Sequence, residues 1–426
     1  MTAGSSLRPS VREKGSRREF FKRAGSTLAG LLAGLPVGWP GHVYADDSPE
    51  TKNVRFGIMP LTDCAPVVMA HELGYFKKFG IESVVSTEPS WTVIRDKLIQ
   101  GHNQASQMLF GMALASTVGL SGSRFTPIVI PWIMNRNGQG ITLSNTLRQT
   151  GVKTAGDLKP LVDRARAAGR RMTFAMTFPQ GTHAMWLRYW LGSGGIHPDQ
   201  DVKLITTPPP SMVENMRVGK VDGYCVGEPW NARAITDGVG YTVVTSQQIW
   251  RDHPENVCAF TEEFATRNPK TVKAILKALH LSSVFLDRLD NRREAAEMLS
   301  RRMYVNCPPD VILERLLGRY DYGDGRRQHE RYYMIFSERG CTYPQKAFGT
   351  WWLSQFRRWG MIKTPPPYEA IVNRSVRSDL YLETMKDLGV RTKVVEVRKF
   401  ALFDGVPFDA ANPEQYARAF PIRNIP

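Results

Sequence analysis

The segment Asp222-Gly223-Tyr224-Cys225-Val226-Gly227-Glu228-Pro229-Trp230-Asn231-Ala232-Arg233-Ala234-Ile235 carries the clearest chemical signal in this chain. Its apolar stretch at 224–226 reads as a strand, and 231–235 reads as a helix entered through Gly227. A glycine that a strand delivers to a helix N-terminus exposes backbone N–H groups, with the positive end of the helix dipole behind them. Such a place suits a small anion. Cys225 is the only thiol in the segment, and its apolar neighbours make it a buried strand residue before they make it a nucleophile.

Other groups able to meet an anion fall where short apolar runs end. Glu88-Pro89-Ser90-Trp91 sets the indole N–H of Trp91 at a helix start, and Met134-Asn135-Arg136-Asn137-Gly138-Gln139-Gly140 is a polar loop rich in amide donors that include Gln139. Phe178-Pro179-Gln180-Gly181-Thr182-His183 puts His183 in the first turn of a helix, and Pro208-Pro209-Pro210 forms a rigid wall around Pro209. Each has a plain structural reading: Trp91 as packing, Gln139 as a turn residue, His183 as a structural histidine, the prolines as a stiff loop. Their coincidence at strand ends favours a donor-lined pocket.

The elements that must position these groups alternate. Strands are expected at 54–59, 82–87, 105–108, 126–130, 172–176, 202–206 and 222–226. Helices are expected at 65–73, 91–100, 182–191 and 211–218. Strands alternating with helices predict an α/β fold built on mostly parallel sheets, with ligands at the carboxyl ends of the strands. Beyond about residue 265 the pattern changes to long helical runs at 269–289 and 292–302 with irregular pieces between. No internal repeat is evident.

Compartment follows from the N-terminus. Ser16-Arg17-Arg18-Glu19-Phe20-Phe21-Lys22 is a twin-arginine export motif, followed by an apolar run at 24–37 and by Val43-Tyr44-Ala45 ahead of Asp46. Residues 1–45 therefore read as a twin-arginine signal peptide, and the mature chain is expected in the periplasm or peripherally on the cytoplasmic membrane. Residues 1–45 hold seven basic and two acidic side chains. Of 56 and 40 in the whole chain, the mature protein keeps 49 and 38, a net charge of +11. Its basic residues are scattered among acids, which favours small anions over nucleic acid. Five cysteines at 64, 225, 258, 307 and 341 show no zinc-binding spacing, and one disulfide could form among them.

Longer motifs resemble a known family. Pro60-Leu61-Thr62-Asp63-Cys64-Ala65-Pro66, Asn137-Gly138-Gln139, Gly181-Thr182-His183, Arg188-Tyr189-Trp190-Leu191, Met212-Val213-Glu214-Asn215-Met216 and the segment from Gly223 to Asn231 are similar to the nitrate-binding proteins of ABC transporters. That family also has bicarbonate-binding and cytoplasmic nitrate-sensing members. The resemblance covers nearly all of residues 54–425. It implies a two-lobed periplasmic-binding-protein (type II) fold with a helical C-terminal extension. Lobe 1 would comprise 46–131 and 255–426 with that extension, and lobe 2 would comprise 132–254, the two closing on one ligand. It also implies a monomeric binding protein without cofactor that serves a membrane permease. The thiamin-pyrimidine enzymes that share the fold would need a nucleophile or acid–base pair at the cleft, and the export signal argues against an intracellular sensor.

Carried over by position, Trp91, Gln139 and His183 match donors to the anion's oxygens, while Pro209, Val226 and Gly227 match lining residues. A planar monoanion held by neutral or cationic N–H groups should have no carboxylate in its contact shell. One position departs from the pattern. After His253-Pro254-Glu255 the nitrate binders carry a lysine, and here the residue is Asn256. The bicarbonate binders have a carboxylate near there that works with a metal ion, so calcium would enter only with bicarbonate. Nitrate or nitrite, bicarbonate and another small anion all stay open. The missing charge could come from a protonated His183 or from a nearby basic residue.

Overall fold

The computed structural model describes residues 48–120 and 125–426. The twin-arginine motif, the apolar run at 24–37 and the cleavage position after Ala45 lie outside the described residues. Residues 49–426 form one unit. Its strands in chain order are β1 (Asn53–Ile58), β2 (Glu82–Thr87), β3 (Ala105–Leu109), β4 (Ile128–Ile133), β5 (Arg136–Asn137), β6 (Gln139–Ser144), β7 (Thr173–Met176), β8 (Lys203–Thr206), β9 (Gly223–Gly227), β10 (Gly240–Thr245) and β11 (Asn256–Thr261).

Ten of them build two five-stranded sheets of the same plan, and β5 pairs instead with Met334–Ile335. The first runs β2-β1-β3-β11-β4, and the second, read from the β8 edge, runs β8-β7-β9-β6-β10. In each sheet three neighbouring strands are parallel, and the fourth (β11 or β6) is antiparallel to both of its neighbours. The expectation of mostly parallel sheets needs that correction. The physical reason is connectivity: β6 and β11 are the strands that the chain enters from the other sheet, through residues 134–138 and 246–255. They arrive without the crossover helix that keeps consecutive strands parallel.

The two crossovers pair with each other. Asn137 N–H donates to the His253 carbonyl at 3.2 Å, Glu255 N–H to the Asn135 carbonyl at 3.2 Å, and Met134 N–H to the Asn256 carbonyl at 2.7 Å. Residues 134–140, expected as a polar loop, are therefore largely extended and hydrogen-bonded, with β5 and the start of β6 inside them. Backbone partners offered by the second crossover decide this, and no local pattern announces them.

Helices fall close to where the spacing places them. Ala65–Glu72 ends at Gly74, whose φ of 73° needs glycine. Trp91–Ile99 starts behind Ser90, whose hydroxyl accepts from Val93 N–H at 3.3 Å. Thr182–Ser193 is buried along almost its whole length. The helix Lys346–Arg358 touches helices beside both sheets, since Trp351 lies 5.5 Å from Trp186 between ring centres and Trp352 lies 6.3 Å from Phe110. Burial of that many indoles stabilises the junction by several kcal/mol, at about 1.5–3 kcal/mol for each large apolar side chain. All five cysteines are buried and unpaired. No helix among the described residues is long and apolar enough to cross a membrane.

Candidate functional site

Among the buried polar groups that the fold leaves without an ordinary hydrogen bond are the candidates Trp91, Gln139, His183 and Asn256. Trp91 is the first residue of its helix and 1% exposed, and its indole N–H has no partner. Gln139 opens β6 opposite Gly227, fully buried, with neither amide atom in a hydrogen bond of ordinary geometry. His183 is the second residue of helix Thr182–Ser193. Its Nδ1 lies 2.5 Å from Thr177 Oγ1, and its Nε2 is unpartnered. Burial, then the nearby His253, pushes the His183 pKa down to about 3, so the ring is neutral at ordinary pH. A buried polar group without a partner costs about 1–3 kcal/mol. Several in one place mark a site that a ligand completes.

Asn256 belongs with them, and the network fixes which way its amide points. Gln107 Oε1 accepts from Met59 N–H at 2.8 Å, which turns Gln107 Nε2 toward Asn256 Oδ1 at 3.1 Å. Asn256 Nδ2 is thereby left as a donor without a hydrogen bond of ordinary geometry, close to the Asp63 carboxyl, whose ionised form it favours. Asn135 is oriented in the same way: its Oδ1 accepts from Asn256 N–H at 3.3 Å, so its Nδ2 donates to Asp63 Oδ1 at 2.6 Å. In both cases a backbone N–H, which can only donate, decides the orientation of the side chain.

Two buried acids were not anticipated beside these donors. Asp63 lies in the turn Thr62–Cys64, fully buried, with Oδ2 unpartnered. Burial drives its pKa up to about 7 against the hydrogen bond from Asn135, and Glu228 adds to the rise. Glu255, also fully buried, accepts from the Thr182 hydroxyl through Oε1 and leaves Oε2 without a hydrogen bond. Burial and the nearby Asp63 hold its carboxyl well above the usual carboxylate range, while Thr182, Gln139 and Trp186 pull it down. From sequence, carboxylates are expected outside the anion's contact shell, and these two acids lie beside the candidate donors Asn256 and Gln139. Burial favours the protonated form of both, and a neutral carboxylic acid offers an O–H where a carboxylate would repel. The signal in the sequence was faint: each acid lies in an otherwise apolar or proline-bearing stretch within a family-like motif.

The remaining candidates divide. Gly227 ends β9, and a Cβ there would stand 2.8 Å from Asp63 Oδ2, so only glycine lets the acid approach the strand. Val226 is buried in β9, and its carbonyl accepts from Asn231 Nδ2 at 2.8 Å. Pro209 is buried at the carboxyl end of β8, the edge strand, and has no polar link to the cluster. The helix after Gly227 differs from the expectation. It is Trp230–Thr236, and its N-terminus already holds an anion, because Glu228 Oε2 accepts from Ala232 N–H at 3.1 Å. The segment caps itself with its own carboxylate, so its contribution to the site comes from the strand end.

Burial and Glu255 hold the Cys225 thiol far above its usual pKa. Among the described residues no three His, Cys, Asp or Glu side chains stand together as a metal site.

With this geometry in view, the likenesses are specific. Residues 47–300 match the model of the NMT1-like family. The chain is 35% identical over 401 residues to the nitrate/nitrite binding protein NrtA of Nostoc sp., covering 90% of this chain and 89% of that protein. It is 38% identical over 375 residues to the nitrate import ATP-binding protein NrtC of Synechocystis sp., covering 88% of this chain but 56% of that one. The crystal structure of the periplasmic nitrate-binding protein NrtA from Synechocystis superposes with a TM-score of 0.84 at 33% identity, covering 88% of this chain and all of that one. The fold is that of the periplasmic binding proteins, and the chain belongs to the NMT1-like family that it shares with these nitrate/nitrite-binding proteins.

Proposed function

We propose that this chain is the solute-binding component of an ABC importer and captures nitrate or nitrite outside the cytoplasmic membrane, without transforming it. One observation carries the reading: the neutral donors Trp91 Nε1, Gln139 Nε2, His183 Nε2 and Asn256 Nδ2 are all buried without a hydrogen bond of ordinary geometry. Neutral N–H groups in a dry enclosure suit a small, weakly basic monoanion. Likeness to nitrate/nitrite-binding proteins supports the choice of anion. The twin-arginine motif supports export to the periplasm.

In this reading the two sheets are the cores of two lobes, and the paired crossovers at 134–138 and 246–255 are the hinge. The anion enters between the lobes. Closure brings Thr62 N–H to the Glu228 carbonyl at 2.7 Å and Trp230 Nε1 to the Pro60 carbonyl at 2.9 Å, across the mouth. The permease then reads the closed form.

Calorimetric titration of the exported form with nitrate, nitrite and bicarbonate, with and without calcium, tests the proposal. Saturable binding of nitrate or nitrite without calcium is expected. Binding of bicarbonate alone, or only with calcium, would reassign the ligand, and no heat with any of the three would refute capture of an oxyanion.

A further inference from the structure

At Asn256 the structure shows nothing cationic. Among the described residues no lysine or arginine pairs with Asp63, Glu255, Gln139, His183 or Asn256. His183 is a neutral ring wedged against Thr177, and His253 is buried with its Nδ1 3.7 Å from Glu255 Oε2. What faces the donors instead is the pair of acids, each with one oxygen unpartnered. An anion brought into this enclosure beside either acid in its ionised form would find no counter-ion, a burial that a low dielectric does not allow.

We propose that the site takes its monoanion together with one proton, held on Asp63 and Glu255, so that carboxylic O–H groups supply the neutralisation that no lysine or arginine supplies here. This rests on the functional reading above and extends it to the charge state of the ligand complex. Asp63 Oδ2 and Asn256 Nδ2 are both unpartnered. Asn256 acts on the Asp63 carboxyl, and Gly227 leaves that oxygen uncovered by any Cβ. The acid and the amide can therefore present two donors to one oxyanion. The same arrangement selects for single charge: one proton compensates nitrate or nitrite, whereas sulfate would leave a buried charge uncompensated.

Every ionisable neighbour is consistent with a proton entering here. Asp63 is faced by Glu228 from the end of β9 and by Glu255 from the second crossover, both of which disfavour its anion, and by its neighbour Cys64, a buried thiol. Glu228 is itself ion-paired with Arg315. Glu255 is faced by Asp63, by His253 and by the buried Cys225. His253 is in turn influenced by Asp252 and Arg136, and burial holds it down to about 4. The free-state proton affinity of Asp63 lies near neutrality. A bound anion raises it further, so uptake occurs at and above about pH 7.

The test is calorimetric titration with nitrate and nitrite in buffers of differing ionisation enthalpy, from about pH 6 to about pH 9. Uptake of close to one proton per anion above neutrality is expected, with affinity falling up to about tenfold per pH unit there. Two variants keep the test decisive if one fails to fold. Asp63→Asn keeps a donor but carries no proton, and Asn256→Lys restores a fixed charge, so each should bind with affinity flat across that range. Normal anion binding with no proton uptake overturns the proposal and leaves the capture reading intact. Absence of oxyanion binding at every pH overturns both, and sulfate binding as tight as nitrate counts against the proton.

Discussion

Two groups of buried acid lie close together in this protein and are treated in opposite ways. Glu228 is fully buried, and both of its oxygens are occupied. Oε1 accepts from Tyr333 at 2.9 Å and sits 3.3 Å from the Arg315 guanidinium, while Oε2 accepts from Ala232 N–H at 3.1 Å. Arg315 is anchored in turn by the Arg319 and Asp321 carbonyls and lies 3.8 Å from the centre of the Tyr320 ring. Asp63 and Glu255 are just as buried, yet each keeps one oxygen without a hydrogen bond and neither has a lysine or arginine partner. A buried charge with a complete partner set is part of the scaffold. Buried polar groups with an incomplete set mark the place that the scaffold holds ready for something else.

Breaking the complete set should have the largest effect. Arg315→Met strips the counter-charge from Glu228 and should cost about 3–5 kcal/mol of folding stability, read as a fall in the urea midpoint. An effect below about 1 kcal/mol would mean that Glu228 is not held as an ion pair.

The incomplete set should show itself through pH. Asp63 has a folded pKa raised to about 7, so its contribution to stability is full below about pH 4 and is lost as the pH rises toward 7. His183 and His253 have folded pKa values lowered to about 3 and about 4. Their contribution is full above about pH 6.5 and is lost on acidification. Between about pH 4 and pH 6.5 the two slopes oppose each other. Asp63→Asn should remove one side and make the free protein lose stability more steeply on acidification, by up to about 1.4 kcal/mol per pH unit. Thermal melts across that window check it, and an unchanged slope would contradict the raised pKa.

Two smaller effects separate the regions further. Gln139→Leu removes an unpartnered amide, so nitrate binding should weaken by about 1–3 kcal/mol while folding stability holds or rises, read by titration and urea melts together. Tyr333→Phe removes one of the Glu228 donors and should do the reverse, costing about 1 kcal/mol of stability and leaving affinity nearly unchanged. Equal losses in both measurements for either variant would blur the distinction.

Much of the scaffold could be read from residue types alone. Seven short apolar runs became strands within a few residues of the expected bounds, because strand ends and helix starts here carry local marks such as Ser90 and Gly74. What could not be read is what depends on pairing at long range. Residues 134–140 looked like a polar loop because their partners, His253 to Asn256, lie more than a hundred residues away. The helix after Gly227 looked free to hold an anion because nothing local says that Glu228 folds back onto Ala232. Asp63 and Glu255 were hidden for a third reason. An acid at a strand end is ordinarily solvated, and only the closed arrangement of both sheets removes the water.

The most direct test is a crystal structure of the mature protein grown with nitrate near neutral pH. A planar three-oxygen density within hydrogen-bonding distance of Trp91 Nε1, Gln139 Nε2, His183 Nε2 and Asn256 Nδ2, against the end of β9, is the expected result. Nitrate bound elsewhere, or those four donors closed onto one another with no anion between them, would contradict it.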